Sequence, residues 1–275
     1  MRARRAGRLA GRAAMLAGVL AATAGCTSNA FTRLGMPIPV TRQGHAVLTL
    51  WQGSWVAAFA VGIVVWGLIL WAVIFHRKRS DAIPHQVRYN LPIEMLYTVV
   101  PFIMVGVLFF FTARDENYLN KLPARPDVVV KVTGYQWSWQ FQYPQYRVPG
   151  STTGDVTMNG EMWSPTQGNR QLPVLEIPTN RTVRFDLFST DVIHAFWIIP
   201  FEFKRDVIPG HPNHFEVTPT RTLYGGPDSI GHCTELCGLY HSRMLFRVRI
   251  VTPAQFSQWI HAQQAAQTKA AGGTQ

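Results

Sequence analysis

The chain is organised around the stretch Gly231-His-Cys-Thr-Glu-Leu-Cys-Gly-Leu-Tyr-His-Ser-Arg-Met244. From Cys233 to its end, this stretch contains five potential metal donors: Cys233, Glu235, Cys237, His241 and Met244. Thiolates, imidazoles and thioethers are soft or borderline ligands, which favour copper over magnesium or calcium. One copper ion has no obvious use for two cysteines, whereas two bridging thiolates can hold two copper ions, each with its own histidine. The loop therefore predicts a dinuclear copper centre that needs a second histidine from elsewhere in the chain.

Two other interpretations of the cysteines stay open. In an exported chain Cys233 and Cys237 can form a disulfide, because disulfides persist outside the cytoplasm. Alternatively, two cysteines and two histidines can hold a structural zinc ion, which prefers four closed N or S ligands. The complete spacing Cys-x-Glu-x-Cys-x3-His-x2-Met favours copper, because neither alternative needs Glu235 or Met244.

The complete spacing resembles the CuA loop in subunit II of the haem–copper cytochrome c oxidases. The resemblance extends from about Trp55 to Val251. It implies a dinuclear copper centre whose ligands in the loop are Cys233, Cys237, His241, Met244 and the backbone carbonyl of Glu235. The carboxylate of Glu235 is then implied to bind a magnesium or manganese ion shared with subunit I, because hard cations prefer oxygen ligands.

The second histidine has four candidates: His194, His211, His214 and His232. A lone histidine at a strand boundary, as His194 is, more often has a structural role. The segment Asp191-Val-Ile-His-Ala-Phe196 nevertheless resembles the family motif Asp-Val-x-His-x-Phe, whose histidine is the distant copper ligand. The resemblance therefore selects His194. His232 precedes a cysteine ligand and is expected to point away from it.

The distribution of charge indicates membrane topology rather than nucleic-acid binding. The 275 residues carry a formal charge of +11, but between Asp115 and Thr252 there are 13 basic and 13 acidic residues. The positive excess lies in the first 12 residues and at His76-Arg-Lys-Arg79, next to apolar segments. Basic residues beside apolar spans mark the cytoplasmic side of a membrane. We therefore expect membrane lipid, and no nucleic acid, as a partner.

Residues 1–25 are typical of a secretory signal peptide of the bacterial lipoprotein type. An arginine-rich start is followed by an apolar run and by the small residues Thr23-Ala-Gly25 before Cys26. Small residues directly before a cysteine resemble a lipobox, so Cys26 is expected to become the lipidated N-terminus. An uncleaved membrane segment, or an ordinary signal peptide with an idle cysteine, is the alternative.

Two apolar runs predict a transmembrane helix hairpin at 55–112. Trp55–Phe75 is 21 residues long, enough to span a bilayer, and a second run extends from about Ile93 to Thr112. The basic end of the first run is expected on the cytoplasmic side. This topology places residues 26–54 and the C-terminal domain outside the plasma membrane.

Glu94 lies in the second apolar run, close to its cytoplasmic end. An ionisable residue there is either functional or extends its carboxylate to the membrane interface. The segment Glu94-Met-Leu-Tyr-Thr-Val-Val-Pro101 resembles the second helix of the family, whose glutamate lies at the mouth of a proton-uptake path. The resemblance implies that Glu94 lies at the entrance of such a path. One difference from the family is Tyr97, which stands where many members have tryptophan.

Residues 115–252 are expected to form an all-β, cupredoxin-like Greek-key sandwich, because short strands alternate with turn residues and show no helical periodicity. The predicted strands cover residues 128–132, 135–143, 172–177, 182–187, 195–199, 214–217 and 245–251. Between them, residues 144–172 are rich in turn formers and predict a loop or irregular hairpin. The tail 253–275 is expected to be a short helix at 254–264 followed by disorder.

The strand from Tyr135 to Tyr143 carries one residue with an expected function. Aromatic residues alternate there with polar ones, which predicts a single half-buried strand whose aromatics mostly lie in the core. In the family, the tryptophan after the glutamine of this stretch lies over the copper site and accepts the electron from cytochrome c. The resemblance implies this role for Trp137, and a bulge or surface curvature must then separate it from its aromatic neighbours.

The resemblance as a whole implies subunit II of a proton-pumping cytochrome c oxidase. Such a subunit accepts electrons from cytochrome c at CuA and passes them to haem in subunit I, where oxygen is reduced to water. The implied partners are subunits I and III and a cytochrome c, either soluble or membrane-bound, including one in a supercomplex with a cytochrome bc complex. The lipobox and the long stretch 144–172 resemble Gram-positive oxidases, whose donor is often membrane-bound.

Three alternative functions are distinguishable from this one. A quinol oxidase subunit II has the same hairpin and sandwich but lacks the copper ligands. A nitrous oxide reductase has a similar copper loop together with a large catalytic domain, which is not expected here. A membrane-tethered zinc or disulfide module has only a structural or binding role, and an absorption spectrum separates it from copper because zinc sites are colourless.

Overall fold

The structure, a computed structural model, describes residues 30–83, 85–122, 125–151, 154–161 and 172–272. The expected signal peptide and Cys26 lie outside the described residues. The chain divides into two units, Met1–Ile38 and Pro39–Gln275. In the first unit, the described part contains turns at 30–35. The second unit contains the helices and the sandwich discussed below.

Two long apolar helices come first in the second unit. Helix α1 spans Arg42–Phe75 and helix α2 spans Leu91–Asn120. In the part of the chain that the structure describes, these two helices are long and apolar enough to cross a membrane. Their order agrees with the predicted hairpin, but both extend beyond its limits of 55 and 112. The early turns of α1 occupy residues 42–54, part of the segment 26–54 that is expected outside the membrane.

Both helices begin at capping residues. The Thr41 side chain accepts a hydrogen bond from the Gly44 N–H at 2.9 Å, and the Asn90 side chain accepts one from the Ile93 N–H at 3.4 Å. Asn90 also donates a hydrogen bond, because its N–H bonds to Oε1 of Glu94 at 2.9 Å. Such reciprocal bonds satisfy backbone donors that a helix start otherwise leaves unpaired. Glu94 therefore has a local structural role at the first turn of α2.

The rest of the unit forms a β-sandwich, as the sequence predicts. In spatial order, the described strands of one sheet are β3 (Asp155–Asn159), β2 (Ser138–Arg147), β1 (Val128–Tyr135), β5 (Val183–Ser189) and β8 (Asn213–Val217). Those of the other sheet are β4 (Val174–Pro178), β10 (Leu245–Val251), β9 (Ile230–Cys233), β6 (His194–Ile198) and β7 (Lys204–Val207). Strands distant in sequence are neighbours in both sheets, so loops from separate parts of the chain meet at the ends of the sandwich.

Aromatic side chains from both sheets build the core. Phe196 stacks on Phe246, with ring centroids 4.9 Å apart and an angle of 7° between the planes. From the facing sheet, Trp139 packs edge-on against Phe246 at 5.6 Å. Gly231 makes this packing possible, because a Cβ at that position would lie 2.0 Å from the Phe246 ring. The core thus fixes β9, the strand that ends at Cys233.

The start of α1 is attached to the sandwich by hydrogen bonds to backbone groups. Buried Gln43 accepts a bond from the Thr218 N–H at 3.0 Å. The Arg42 N–H donates to the Thr218 carbonyl, also at 3.0 Å. These contacts explain why α1 begins before the apolar run that identifies it in the sequence.

The predicted strand from Tyr135 to Tyr143 is wrong, because this segment is a hairpin. β1 ends at Tyr135, β2 begins at Ser138, and these two residues are direct partners across the strands. Gln136 and Trp137 form the connecting turn. The buried aromatics of β2 remain in the core, and a turn rather than a bulge separates Trp137 from them.

Residues 144–172 begin as the irregular hairpin that the sequence predicts. β3 pairs with β2 in antiparallel fashion, with a register shift between Tyr143 and Arg147. Residues 152, 153 and 162–171 of that stretch lie outside the described residues. The tail differs from its expectation, because helix α3 spans Pro253–Gly272 whereas disorder is expected beyond 264.

Helix α3 is stabilised by aromatic packing and by glutamine amides. Phe256 is buried, and the Trp259 ring lies 5.4 Å from that of Tyr143. The Gln267 amide bonds to both backbone groups of Thr157 in β3, donating to the carbonyl at 3.0 Å and accepting from the N–H at 3.1 Å. A strand at the edge of a sheet has unpaired backbone groups that need such partners. The tail is therefore ordered by contacts with the sandwich.

Glu176 on β4 is a buried carboxyl group, with 1% of its surface exposed. The Tyr143 hydroxyl fixes the backbone of Glu176. It donates to the Glu176 carbonyl at 2.9 Å and accepts from the Glu176 N–H at 3.0 Å. Arg249 Nη1 lies 3.1 Å from the carboxylate. Burial raises the pKa of Glu176 to about 7, although the Arg249 charge acts in the opposite direction.

This raised pKa predicts that folding stability decreases as pH rises. Between the ordinary carboxyl value of 4.5 and the folded value of about 7, the folded state keeps a proton that the unfolded state has lost. The contribution of Glu176 to the free energy of unfolding therefore falls with increasing pH over this interval. Glu176→Gln should remove this part of the slope, as measured by urea unfolding of a soluble fragment, 125–272, from pH 4.5 to 8. The exposed Glu161→Gln is the control, and an unchanged slope in Glu176→Gln would contradict the assignment.

Candidate metal centre

The predicted loop donors lie between β9 and β10. Cys233 is the last residue of β9, and Met244 directly precedes β10. The Cys233 N–H donates to the Met244 carbonyl at 3.1 Å, which closes the loop at its base. A short 3-10 turn at His241–Arg243 reverses the chain within the loop. The two strands thus hold the first and last donors next to each other.

The sulfur and nitrogen donors form one contiguous cluster. The Sγ atoms of Cys233 and Cys237 are 3.8 Å apart. His194 Nδ1 is 3.8 Å from Cys233 Sγ, and His241 Nδ1 is 3.6 Å from Cys237 Sγ. Met244 Sδ lies 3.7 Å from Cys237 Sγ. Each thiol therefore has its own histidine, and the thioether lies on the Cys237 side.

Glu235 contributes two groups in different places. Its backbone carbonyl lies 3.3 Å from Cys233 Sγ, whereas the Met244 thioether lies near Cys237. Its side chain is exposed. One residue thus places a carbonyl among the soft donors and a carboxylate at the surface.

The pairing of β6 with β9 brings His194 to the loop. Phe196 is the partner of Cys233 across these strands, and His194, two residues earlier, is fully buried beside the cluster. Successive side chains of a strand point to opposite faces, so His232 projects away from Cys233. The other two candidates, His211 and His214, are exposed.

This donor set fits a pair of soft metal ions. Sulfur atoms 3.8 Å apart are well beyond the roughly 2.05 Å of a disulfide, and both thiols are free. Among the described residues, the donors that all lie within 4.8 Å of one another belong to His194, Cys233 and Cys237. His241 is outside this group, whereas a structural zinc site needs four donors around one point. The cluster is therefore compatible with copper binding.

The electrostatics of the cluster favour one thiolate. Burial disfavours ionisation of Cys233, but contacts with His194 and with backbone groups outweigh it and lower the pKa of this thiol. Burial and the neighbouring Cys233 charge raise the pKa of Cys237. Bonds to Cys233 and Asp191 raise the pKa of His194 against the effect of burial. Since metals bind thiolates, the Cys237 proton is the one that metal binding must displace.

The lowered pKa of Cys233 is testable in the metal-free fragment 125–272. In a Cys237→Ser background, ultraviolet thiolate absorbance should appear below the ordinary pKa of a cysteine, 9.0. His194→Gln in the same background should raise the midpoint, because the imidazole that favours the thiolate is lost. His232→Gln, on the other face of β9, is the matched control. An equal midpoint with and without His194 would contradict the assigned contact.

Trp137 lies against the loop rather than in the core. Its indole Nε1 donates to the Cys237 carbonyl at 3.2 Å, and the Gln136 amide donates to the same oxygen at 2.7 Å. The Tyr240 ring packs edge-on at 4.9 Å. Gly238 is needed here, because its φ is +118° and a Cβ would lie 3.1 Å from the indole. The indole is half-buried, so part of it faces the metal loop and part faces solvent.

The structure also reveals contacts of Asp191 that the sequence analysis does not identify. Its Oδ1 lies 2.8 Å from His194 Nε2, and its Oδ2 accepts a bond from the Gln136 N–H at 2.7 Å. The spacing of three residues between Asp191 and His194 is the one available signal. Glu94, by contrast, lies at the start of α2 and is not part of the cluster.

Fold and site together define a cupredoxin-like domain with a copper-compatible centre, preceded by two long apolar helices. Helices and domain are consistent with a membrane protein that has an external domain. Few proteins belong to this class, because a member must combine the soft donors, their order along the chain and a β-sandwich.

Comparisons with known proteins identify the family. The model of the family "Cytochrome C oxidase subunit II, periplasmic domain" matches residues 128–251. A probable cytochrome c oxidase subunit 2 of Streptomyces avermitilis is 50% identical over 264 residues, covering 86% of this chain and 81% of the relative. The cytochrome c oxidase subunit 2 of Mycobacterium tuberculosis is 33% identical over 278 residues, covering 86% and 77%. The periplasmic domain of subunit II of cytochrome oxidase of Bradyrhizobium japonicum is 27% identical, with a TM-score of 0.41, covering 53% of this chain and 99% of that one.

The chain belongs to the cytochrome c oxidase subunit II family, whose members are components of the oxidase complex. The resemblance inferred from the copper loop is thereby confirmed. The quinol oxidase, nitrous oxide reductase and zinc-module alternatives are set aside.

Proposed function

We propose that this chain is the electron-entry subunit of a proton-pumping cytochrome c oxidase in the plasma membrane. It receives electrons from a c-type cytochrome outside the membrane and delivers them towards haem in subunit I, where oxygen is reduced to water. The observation that carries the proposal is the buried pair of thiols 3.8 Å apart, each with its own histidine. Helices α1 and α2 cross the membrane twice, with the basic residues 76–79 on the cytoplasmic side.

The proposed copper ligands are His194, Cys233, Cys237, His241, Met244 and the carbonyl of Glu235. A dinuclear copper centre, when bound, supplies one-electron redox chemistry. The chain contributes a fixed and shielded donor set. Both thiols and His194 are buried, and an apolar shell of this kind limits solvent access and tunes redox potential. The closed loop keeps the donors from separating when the charge of the site changes.

Trp137 is the proposed entry residue for electrons from the cytochrome. One edge of its indole is bonded to the carbonyl of Cys237, a proposed ligand. The rest of the half-buried ring is accessible to a docking partner. The residue thus spans the short distance between the protein surface and the metal loop.

The Glu235 carboxylate is the proposed ligand of a magnesium or manganese ion shared with subunit I. Carboxylate oxygens suit such hard cations, and the exposure of this side chain leaves it free to meet ligands from another subunit. The same residue offers its carbonyl to the copper cluster. Glu235 therefore connects the two metal sites through one peptide unit.

Subunits I and III, a c-type cytochrome and membrane lipid are the proposed partners, and lipidation of Cys26 adds an anchor. Residues 115–252 are formally neutral, which is compatible with a soluble or a membrane-bound cytochrome, including one held in a supercomplex with a cytochrome bc complex.

The central test is the metal content of the purified oxidase with single substitutions in the loop. Cys233→Ser and Cys237→Ser should each abolish the dinuclear copper signal in the EPR spectrum, because each removes one of the two thiolates that would hold the pair of ions. Met244→Leu should keep copper but shift its reduction potential, since a thioether is a weak ligand. Copper analysis and EPR spectroscopy measure both outcomes.

Two further variants act as controls for this test. Glu235→Gln should keep both copper ions, because a backbone donor survives a side-chain change, but should weaken the neighbouring hard-cation site. His232→Ala should leave the signal unchanged, because this side chain points away from the cluster. Zinc, a single copper ion, or an obligatory Cys233–Cys237 disulfide in the active oxidase would refute the proposed site.

Glu94→Gln tests the proposed entrance of a proton-uptake path. A glutamine Oε1 still accepts from the Asn90 N–H, so the helix cap is retained while the ionisable group is lost. We expect slower oxygen consumption with a normal copper signal. Glu116→Gln, at the other end of α2, is the matched control. Unchanged turnover across pH would leave Glu94 with its capping role alone.

A further inference from the structure

We infer that Asp191 is a positioning residue that couples the copper ligand His194 to the turn that carries Trp137. The inference rests on the proposed function, because it concerns the surroundings of the same site. It assigns a role to a carboxylate that is not itself among the proposed metal ligands.

The two oxygens of Asp191 serve two different elements. Oδ1 lies 2.8 Å from Nε2 of His194, at the start of β6, and also accepts from the Val192 N–H at 2.7 Å. Oδ2 accepts from the Gln136 N–H at 2.7 Å, in the turn between β1 and β2. Since β1 and β6 belong to different sheets, this side chain bridges the sandwich beside the cluster.

The first contact sets the tautomer of His194. An ionised carboxylate only accepts hydrogen bonds, so Nε2 must be the nitrogen that carries the proton. The lone pair is then on Nδ1, which faces Cys233 Sγ at 3.8 Å. Hydrogen bonds to the second ring nitrogen orient histidine ligands and raise their basicity. Asp191 thus presents the donor atom of His194 towards the thiols.

The second contact fixes the turn against the loop. With the Gln136 N–H held by Asp191, the Gln136 amide and the Trp137 indole both reach the Cys237 carbonyl, at 2.7 and 3.2 Å. The hydrogen bonds therefore form a continuous network from His194 through Asp191 and the turn to Cys237. A displacement of Asp191 should affect the metal ligand and the entry residue together.

Asp191→Asn in the assembled oxidase tests the coupling. His194 and Gln136 bond to different oxygens of Asp191. Asparagine replaces one of these oxygens by a donating NH2 group, so it cannot accept both bonds in this geometry. We expect copper affinity to fall by about 10–100-fold, with an altered copper EPR spectrum. Electron entry per bound copper should also slow. Affinity is measured by competition with a copper chelator, and entry by laser photolysis with ruthenium tris-bipyridine as the electron source.

Charge effects are separated from positioning by salt and by a matched variant. Electron entry is measured at about 1 M ionic strength, where the screening length is only about 3 Å. Asp155→Asn removes the same charge at β3, where Asp155 pairs with Arg147 at 3.0 Å, and should match the wild type. Wild-type copper affinity and spectrum in Asp191→Asn would overturn the inference. Unchanged entry per copper would overturn it as well.

A conservative variant decides the question if Asp191→Asn does not assemble. Asp191→Glu keeps the carboxylate but displaces it by one methylene from both partners. We expect a shifted copper spectrum and slower entry, and wild-type values for both would overturn the inference. A wild-type oxidase without a dinuclear copper signal would refute the proposed function itself. A normal wild-type signal that Asp191 variants leave intact refutes the coupling alone.

Discussion

The metal centre depends on one backbone hydrogen bond, from the Cys233 N–H to the Met244 carbonyl at 3.1 Å. It extends the antiparallel pairing of β9 with β10 by one step beyond Leu245 and His232. The loop between these donors can be ordered because the sandwich already fixes both of its ends. Ordering a residue costs about 1–2 kcal/mol of conformational entropy, and the aromatic core offsets this cost outside the loop. The fold, rather than the ligands, therefore sets the spacing of the donors.

The peptide between Cys237 and Gly238 joins the candidate metal cluster to Trp137, the proposed entry residue. Its carbonyl belongs to a cysteine of the cluster and accepts bonds from both residues of the Gln136–Trp137 turn. The glycine that follows leaves space for the indole. A side chain at this position would push Trp137 away without touching a metal donor. Gly238, which offers no side-chain donor, is therefore constrained by the turn that packs against it.

The donors of the loop could be predicted from the sequence because they occur in one short segment. His194 was selected only with the help of the resemblance to the family motif Asp-Val-x-His-x-Phe. The Trp137 turn was missed, although the sequence contains a signal for it. Apolar core positions are even-numbered along β1, at Val128, Val130 and Val132, but odd-numbered along β2, at Trp139 and Phe141. Successive residues of a regular strand point to opposite faces, so this change of parity requires a bulge or a turn between Val132 and Trp139. A two-residue turn between paired Tyr135 and Ser138 produces this change.

The remaining misses have a common physical cause, because each involves a polar side chain bonded to a distant backbone. Gln267 pairs with Thr157 in β3, Gln43 with Thr218, and Asp191 with Gln136. Hydrophobic burial repeats with the period of a helix or strand, and the sequence therefore reports it. A hydrogen bond from one side chain to a backbone group 55 or more residues away leaves no such period. Such bonds order the tail, fix the start of α1 and join His194 to the Trp137 turn, and only the folded chain brings their partners together.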